Sequence, residues 1–176
     1  MYAWYFRQIP TNVPTRDCIR WHDLTLLYIG ISPSRPTTNG KLPSRQNLRT
    51  RIRYHFRGNA AGSTLRLTLG TLLAKELGIT LRRVGSGNRR TFAAGEATMS
   101  EWMRKNAFVC WLPCEQPWEE EETLIERLLV PLNLAGNQRH PFHAILTTRR
   151  REARALADNQ PIWRRSGGRT KPATRL

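Results

Sequence analysis

No stretch of this chain approaches the ~18–20 consecutive apolar residues that a membrane-spanning helix needs. Its first ten residues, MYAWYFRQIP, carry no basic segment followed by a long apolar one. A membrane span and a secretory leader are therefore not expected, and the pattern predicts a soluble, cytoplasmic protein. Cysteine is scarce and odd in number: Cys18, Cys110 and Cys114, which read as reduced thiols. Cys110 and Cys114 with His140 and His143 fit a zinc finger poorly, because the gap between the pairs is about twice the common one and His-x-x-His is shorter than usual; Cys110, in the apolar run 107–112, reads more simply as a core residue. There is no Walker A string, no Gly-x-Ser-x-Gly and no Rossmann fingerprint. Gly85-Ser86-Gly87 lacks a third Gly and a strong preceding strand, and predicts a flexible turn.

Lysine and acid are also sparse, and this is more telling. The chain has 25 Arg against 4 Lys, and 29 basic against 13 acidic residues, a formal net charge of +16 over 176 residues. The segment from Arg149 onward holds nine basic and two acidic residues, so the body is basic even without it. A GC-rich genome explains Arg in place of Lys, but not the net charge. Counterion release favours a polyanionic partner, and guanidinium forks match phosphate oxygens two at a time. An anionic membrane surface is the poorer match, since no amphipathic anchor is evident. With 39% hydrophobic residues and six Trp, the chain can bury a core and is not disordered as a whole.

Residues 2–7 (YAWYFR) read as a first strand. Residues 24–31, mostly apolar, read as a second strand buried on both faces and antiparallel to the first. Asn47 is placed to cap a helix over 48–56, and Ser63 a second one with Leu65, Leu69, Leu72 and Leu73 facing the core and Gly78 as its stop. Residues 80–95 read as a basic hairpin or loop, 97–106 as a short helix and 107–112 as a third strand. A further helix runs over 118–129 behind Pro117, with Glu119 to Glu122 complementing its dipole, and 149–157 is a last basic helix. The expected class is α+β: a three-stranded antiparallel sheet flanked by helices. The domain spans 1–157 with a basic insertion at about 78–106, and residues 158–176 form a basic, disordered tail.

Arg51 and His55 are four apart on a helix and so share a face. Close to them in the sequence, Tyr28-Ile29-Gly30 ends an apolar strand. These residues resemble the GIY-YIG nuclease superfamily. Tyr28-Ile29-Gly30 matches the second name tripeptide, while Ala3-Trp4-Tyr5 stands for the first and keeps only its Tyr. Asn47-Leu48-x-x-Arg51 with His55-Phe56 is similar to the catalytic helix of that family. Glu121-x-x-Leu124-Ile125 and Pro131-Leu132-Asn133 are similar to its metal-binding Glu and following Asn. The resemblance covers residues 3–137, and residues 133–143 (NLAGNQRHPFH) resemble a subgroup of small GIY-YIG domain proteins.

The resemblance implies a Mg²⁺-dependent (or Mn²⁺-dependent) DNA endonuclease. Glu121 would hold the metal, Arg51 would clamp the scissile phosphate and Tyr5 would take the proton from water. Tyr28 and His55 would relay or position, and Asn133 would hold the Glu121 loop or bind phosphate. The substrate is expected to be duplex DNA, with RNA left open, and a single centre would cut both strands as a dimer on DNA or in two events. Taken alone, the same residues also read blandly. Tyr28 fits a buried strand aromatic, His55 an exposed helix residue, Arg51 solvated charge, and Glu121 or Glu122 a dipole complement; Asn137 could stand in for Asn133. The alternative function is a non-catalytic or weakly active nucleic-acid-binding module of the same fold.

Overall fold

The structure is a computed structural model that describes residues 1–36 and 46–164. Strands β1 (Tyr2–Phe6), β2 (Arg20–Trp21) and β3 (Leu24–Gly30) come first, followed by helices α1 (Leu48–Arg57), α2 (Thr64–Leu72) and α3 (Ala74–Leu77). Then come the hairpin β4 (Arg82–Val84) and β5 (Arg89–Thr91), helix α4 (Gly95–Asn106), strand β6 (Ala107–Trp111), and helices α5 (Pro117–Arg127) and α6 (His143–Asp158). The class is α+β, as the sequence predicts, but the main sheet has four antiparallel strands in the order β2-β3-β1-β6 rather than three. The additional strand is the two-residue β2. It folds onto β3 through a tight turn at His22 and Asp23, in which His22 adopts φ 53°, a conformation that two-residue hairpin turns demand.

Helix starts follow their caps. Asn47 Oδ1 accepts the Thr50 N–H at 2.8 Å, and Ser63 Oγ accepts that of Arg66 at 3.1 Å, each satisfying an otherwise orphaned donor. Helix α3 stops at Gly78, whose φ of 61° suits a residue without Cβ. Helix α6 begins six residues before the expected 149. Residues 158–164, expected to open the tail, run along the β4–β5 hairpin: Arg90 bonds Asp158, Arg83 bonds the Gln160 carbonyl, and Trp163 N–H donates to the Arg83 carbonyl at 2.8 Å. The rest of the tail, 165–176, lies outside the described residues.

Strand alternation splits the sheet into two faces. Tyr2, Trp4 and Phe6 point into the main core with α1, α2, α4 and α6; Ala3 and Tyr5 point the other way, toward Leu26, Ile29 and Ile125 under α5. Strand β3 is buried along its whole length because both layers cover it. Within the expected insertion, α4 contributes Met99, Trp102 and Met103 to the main core. Cys110 is exposed on the edge strand β6, which corrects its reading as a core residue: β6 is buried at Ala107 and emerges toward its end, so an apolar sequence run on an edge strand does not guarantee burial.

The helical layer is fastened by Arg66, whose side chain is fully buried. Its guanidinium pairs with Glu96 at 2.7 Å and donates to the carbonyls of His55 and Phe56 at 3.1 Å. Glu96 in turn accepts the backbone N–H groups of Ala60 and Phe92. One ion pair thus ties the end of α1 to α2 and α4. Arg66→Met is expected to cost about 3–5 kcal/mol in urea unfolding, because Glu96 is left without its cation. Adding Glu96→Leu should recover part of that loss, and a double variant as unstable as the single would show that the network acts through geometry alone.

Candidate active site

Four elements converge on a hollow of about 310 Å³ lined by Tyr2 of β1, Tyr28 and Gly30 of β3, Arg51 of α1, and Trp118 and Glu121 of α5. The register explains the meeting. Tyr2 lies opposite Gly30 and Trp4 opposite Tyr28, so Tyr2 and Tyr28 share one face and flank the hollow. Gly30 is needed because the Tyr2 ring occupies the space beside it; a Cβ there would come within 2.6 Å of the Tyr2 ring and hydroxyl.

His55 sits beneath the hollow, fully buried among the rings of Tyr2, Trp4 and Tyr28. Its Nε2 is 2.7 Å from the Tyr2 hydroxyl, and its Nδ1 is 2.7 Å from Ser63 Oγ. Burial first, then the cations of Arg51 and Arg66, pull its pKa down to about 3, so the ring is neutral. Ser63 Oγ already accepts the Arg66 N–H. Its own hydroxyl proton is best satisfied on His55 Nδ1, which places the ring proton on Nε2, donating to Tyr2. Burial raises the Tyr2 pKa, while the adjacent Arg51 cation opposes that rise. Two groups thus favour a Tyr2 phenolate, the ring N–H and the guanidinium, while burial and the Glu121 charge oppose it, and the balance lies upward. Tyr28 is also pushed upward, by burial and then by Tyr2, and stays a phenol.

On the opposite wall, Glu121 is partly buried and no side chain among the described residues ion-pairs with it, whereas Glu122 is exposed and bonds Arg35 at 2.7 Å. Burial, followed by the Glu122 charge, pushes the Glu121 carboxyl up to about 7. Both glutamates line the hollow, but they differ: Glu121 is partly buried with no side-chain ion pair among the described residues, whereas Glu122 is exposed and paired with Arg35. Among the described residues no cluster of three or more His, Cys, Asp or Glu could enclose a metal. A divalent ion taking one carboxylate, with water and phosphate oxygens completing its shell, is the type that such a donor set fits.

Asn133 is buried and acts on the backbone. Its Oδ1 accepts the Ile29 N–H at 2.9 Å and its Nδ2 donates to the Ile29 carbonyl at 2.9 Å, locking the strand between Tyr28 and Gly30. Asn137, the considered substitute, braces this loop by donating to the carbonyls of Val130 and Asn133. Arg51 lines the hollow and donates to the Gly62 carbonyl at 2.9 Å. Of the residues singled out in the sequence, the structure brings Tyr28, Arg51 and Glu121 to the hollow, with His55 directly below and Asn133 behind β3. It does not bring Tyr5, which packs on the other face against the α5 layer. The hydroxyl that does arrive, Tyr2, was missed, although period-2 alternation pairs Tyr2 rather than Tyr5 with the face of Trp4.

Among models of protein families, the one described as the GIY-YIG catalytic domain matches residues 1–152. Comparison with curated proteins and with solved structures gives no match. The family match spans most of the chain, and the protein belongs to the GIY-YIG catalytic-domain family.

Proposed function

We propose that this member of a nuclease family is a divalent-metal-dependent endonuclease that hydrolyses phosphodiester bonds in DNA. The observation that supports it best is the convergence of Tyr2, Tyr28, Arg51 and Glu121 on one hollow, with His55 bonded to Tyr2 from below. Phosphodiester hydrolysis needs an activated water and stabilisation of the charge that builds on the phosphate. Arg51 carries a fixed cation at the hollow and would hold a phosphate oxygen there. Tyr2, oriented by His55 and flanked by Arg51, would take the proton of the attacking water as a phenolate. Tyr28 would hold the water or the phosphate by its hydroxyl. Asn133 and Gly30 position β3 and the Tyr2 ring rather than touching substrate. Glu121 would hold the metal, Mg²⁺ or Mn²⁺, which supplies Lewis-acid stabilisation of phosphate charge. The net charge of +16 supports a polyanionic substrate.

The experiment is incubation of supercoiled plasmid with the protein and Mg²⁺, beside an EDTA control. Nicked product is expected first and linear later if one centre cuts the strands in separate events, whereas direct linearisation would favour a dimer on DNA. Cleavage should vanish in EDTA. DNA binding without cleavage under any divalent ion would overturn the reading and leave a non-catalytic binding module of this fold.

A further inference from the structure

A larger groove, of about 1150 Å³, opens between α1, α4 and β6. Its floor is apolar: Leu48, Ile52 and Phe56 from one stripe of α1, with Trp111 from the edge strand. Its rim is basic: Arg49, Arg53 and Arg57 from the next stripe, with Arg104 from α4. Trp111 is 62% exposed and continues the apolar floor of the groove, and a contiguous apolar surface with a polar rim marks a binding site. Of the four rim cations, only Arg104 forms an ion pair among the described residues, with Glu101.

The groove adjoins the hollow. In the sheet register Trp111 lies directly opposite Tyr2, which itself lies opposite Gly30, so Trp111 and Tyr2 share a face one strand spacing apart, about 5 Å. Along α1, Leu48 and Ile52 sit beside the Arg51 and His55 face, since successive residues turn by about 100°. The groove therefore lies to one side of a phosphate held at Arg51 and Tyr2.

A paired duplex would offer it phosphates and groove edges but no base faces, because those are stacked inside the helix. A second copy of this chain would bring Arg rim against Arg rim. Resting on the nuclease reading, we propose that the groove binds unpaired nucleotides of the strand being cut, their bases against Trp111 and the apolar floor and their phosphates on Arg49, Arg53 and Arg104. Aromatic platforms beside cationic tracks bind single strands in this manner without reading sequence. The substrate class follows: nucleic acid with unpaired nucleotides next to the scissile phosphate, such as a flap, gap or single strand.

The test measures binding without cleavage, using the Glu121→Gln protein in EDTA and fluorescence anisotropy. A short oligothymidylate is compared with an abasic oligomer of equal length, which has the same phosphates and no bases. The oligothymidylate should bind about tenfold tighter, the lower end of what one stacked base contributes. Trp111→Ala should abolish that preference, and Leu156→Ala, an exposed residue of α6 far along the sequence, should leave it intact. Equal binding of the two oligomers overturns the proposal, with no variant needed. A preference that survives Trp111→Ala also overturns it, as does displacement of the oligothymidylate by a peptide of alternating Glu and Leu that binds more tightly, which would make the groove a protein-docking face. Plasmid cleavage with no base-dependent binding sinks only the groove, whereas base-dependent binding with no cleavage by the wild-type protein sinks only the nuclease reading.

Discussion

Glu121→Gln lowers the rate of Mg²⁺-dependent cleavage by about 10³-fold or more, while the protein still binds DNA as tightly as before or slightly tighter. The rate effect follows from charge. A Gln at this position cannot hold a divalent ion in a site that offers one carboxylate, and metal stabilisation of phosphate charge is a contribution of several kcal/mol, with about 1.4 kcal/mol per factor of ten. Affinity is preserved because it comes from the many Arg side chains, and removing one negative charge from a basic surface slightly favours a polyanion. Glu122→Gln is the matched control. Glu122 points to Arg35, so its loss should leave the rate near wild type at saturating Mg²⁺. It should also let the Glu121 carboxyl titrate lower, because the Glu122 charge is the second cause of its elevation. The sign of the pH dependence follows from competition. With the carboxyl at about 7, protons and metal contend for it below that pH, so the Mg²⁺ concentration for half-maximal cleavage should rise up to tenfold per pH unit as the pH falls. Glu122→Gln should move the onset of that rise to lower pH. Full activity in Glu121→Gln, with the loss appearing in Glu122→Gln, would move the metal site by one residue.

The sequence showed those parts of the protein whose signals are local. Asn47 and Ser63 are placed before their helices as caps and act as such. The apolar run of β3 reads as buried on both faces and is. Arg51 and His55 fall on one face because four residues make about one turn. The failures occur where a residue's fate is set by partners distant in sequence. The strand β2 was invisible because its two residues are exposed and its turn uses His22, not Gly or Asn, at positive φ. Arg66 sits in a leucine-rich helix where no local signal marks it for burial, yet it is buried because Glu96, thirty residues on, and two α1 carbonyls satisfy it. His55, which composition alone leaves as an exposed helix residue, is enclosed by three aromatic rings from two strands. Trp111 belongs to an apolar run that promises a core strand, and only the strand order shows that β6 is an edge.

Tyr2→Phe reduces the single-turnover cleavage rate by about 10²–10³-fold, and Tyr5→Phe leaves it within about twofold of wild type. Both substitutions keep the ring and remove one hydroxyl, so the pair compares position and nothing else. The range for Tyr2 is that of a lost general base or of one lost preorganised hydrogen-bonding group. The contrast follows from alternation in β1: Tyr2 shares a face with Trp4 and places its hydroxyl on His55 Nε2 at 2.7 Å, whereas Tyr5 packs against the layer beneath α5. If Tyr2 works as a phenolate, the wild-type rate should climb with pH, since burial raises its pKa and Arg51 only partly offsets this, and Tyr2→Phe should flatten the climb. Arg51→Ala should steepen the requirement by removing the cation that favours the phenolate, displacing the climb to higher pH in addition to lowering the rate. Ser63→Ala separates the orienting chain from the base. It removes the donor to His55 Nδ1, so the ring can move its proton there and Nε2 becomes an acceptor, which favours the Tyr2 phenol over the phenolate. Its rate loss should be smaller than that of Tyr2→Phe and should vanish when combined with it, because the two act through one oxygen. A strong loss in Tyr5→Phe with none in Tyr2→Phe, both folded by circular dichroism, would place the proton acceptor on the opposite face of the sheet and dissolve the site built around His55.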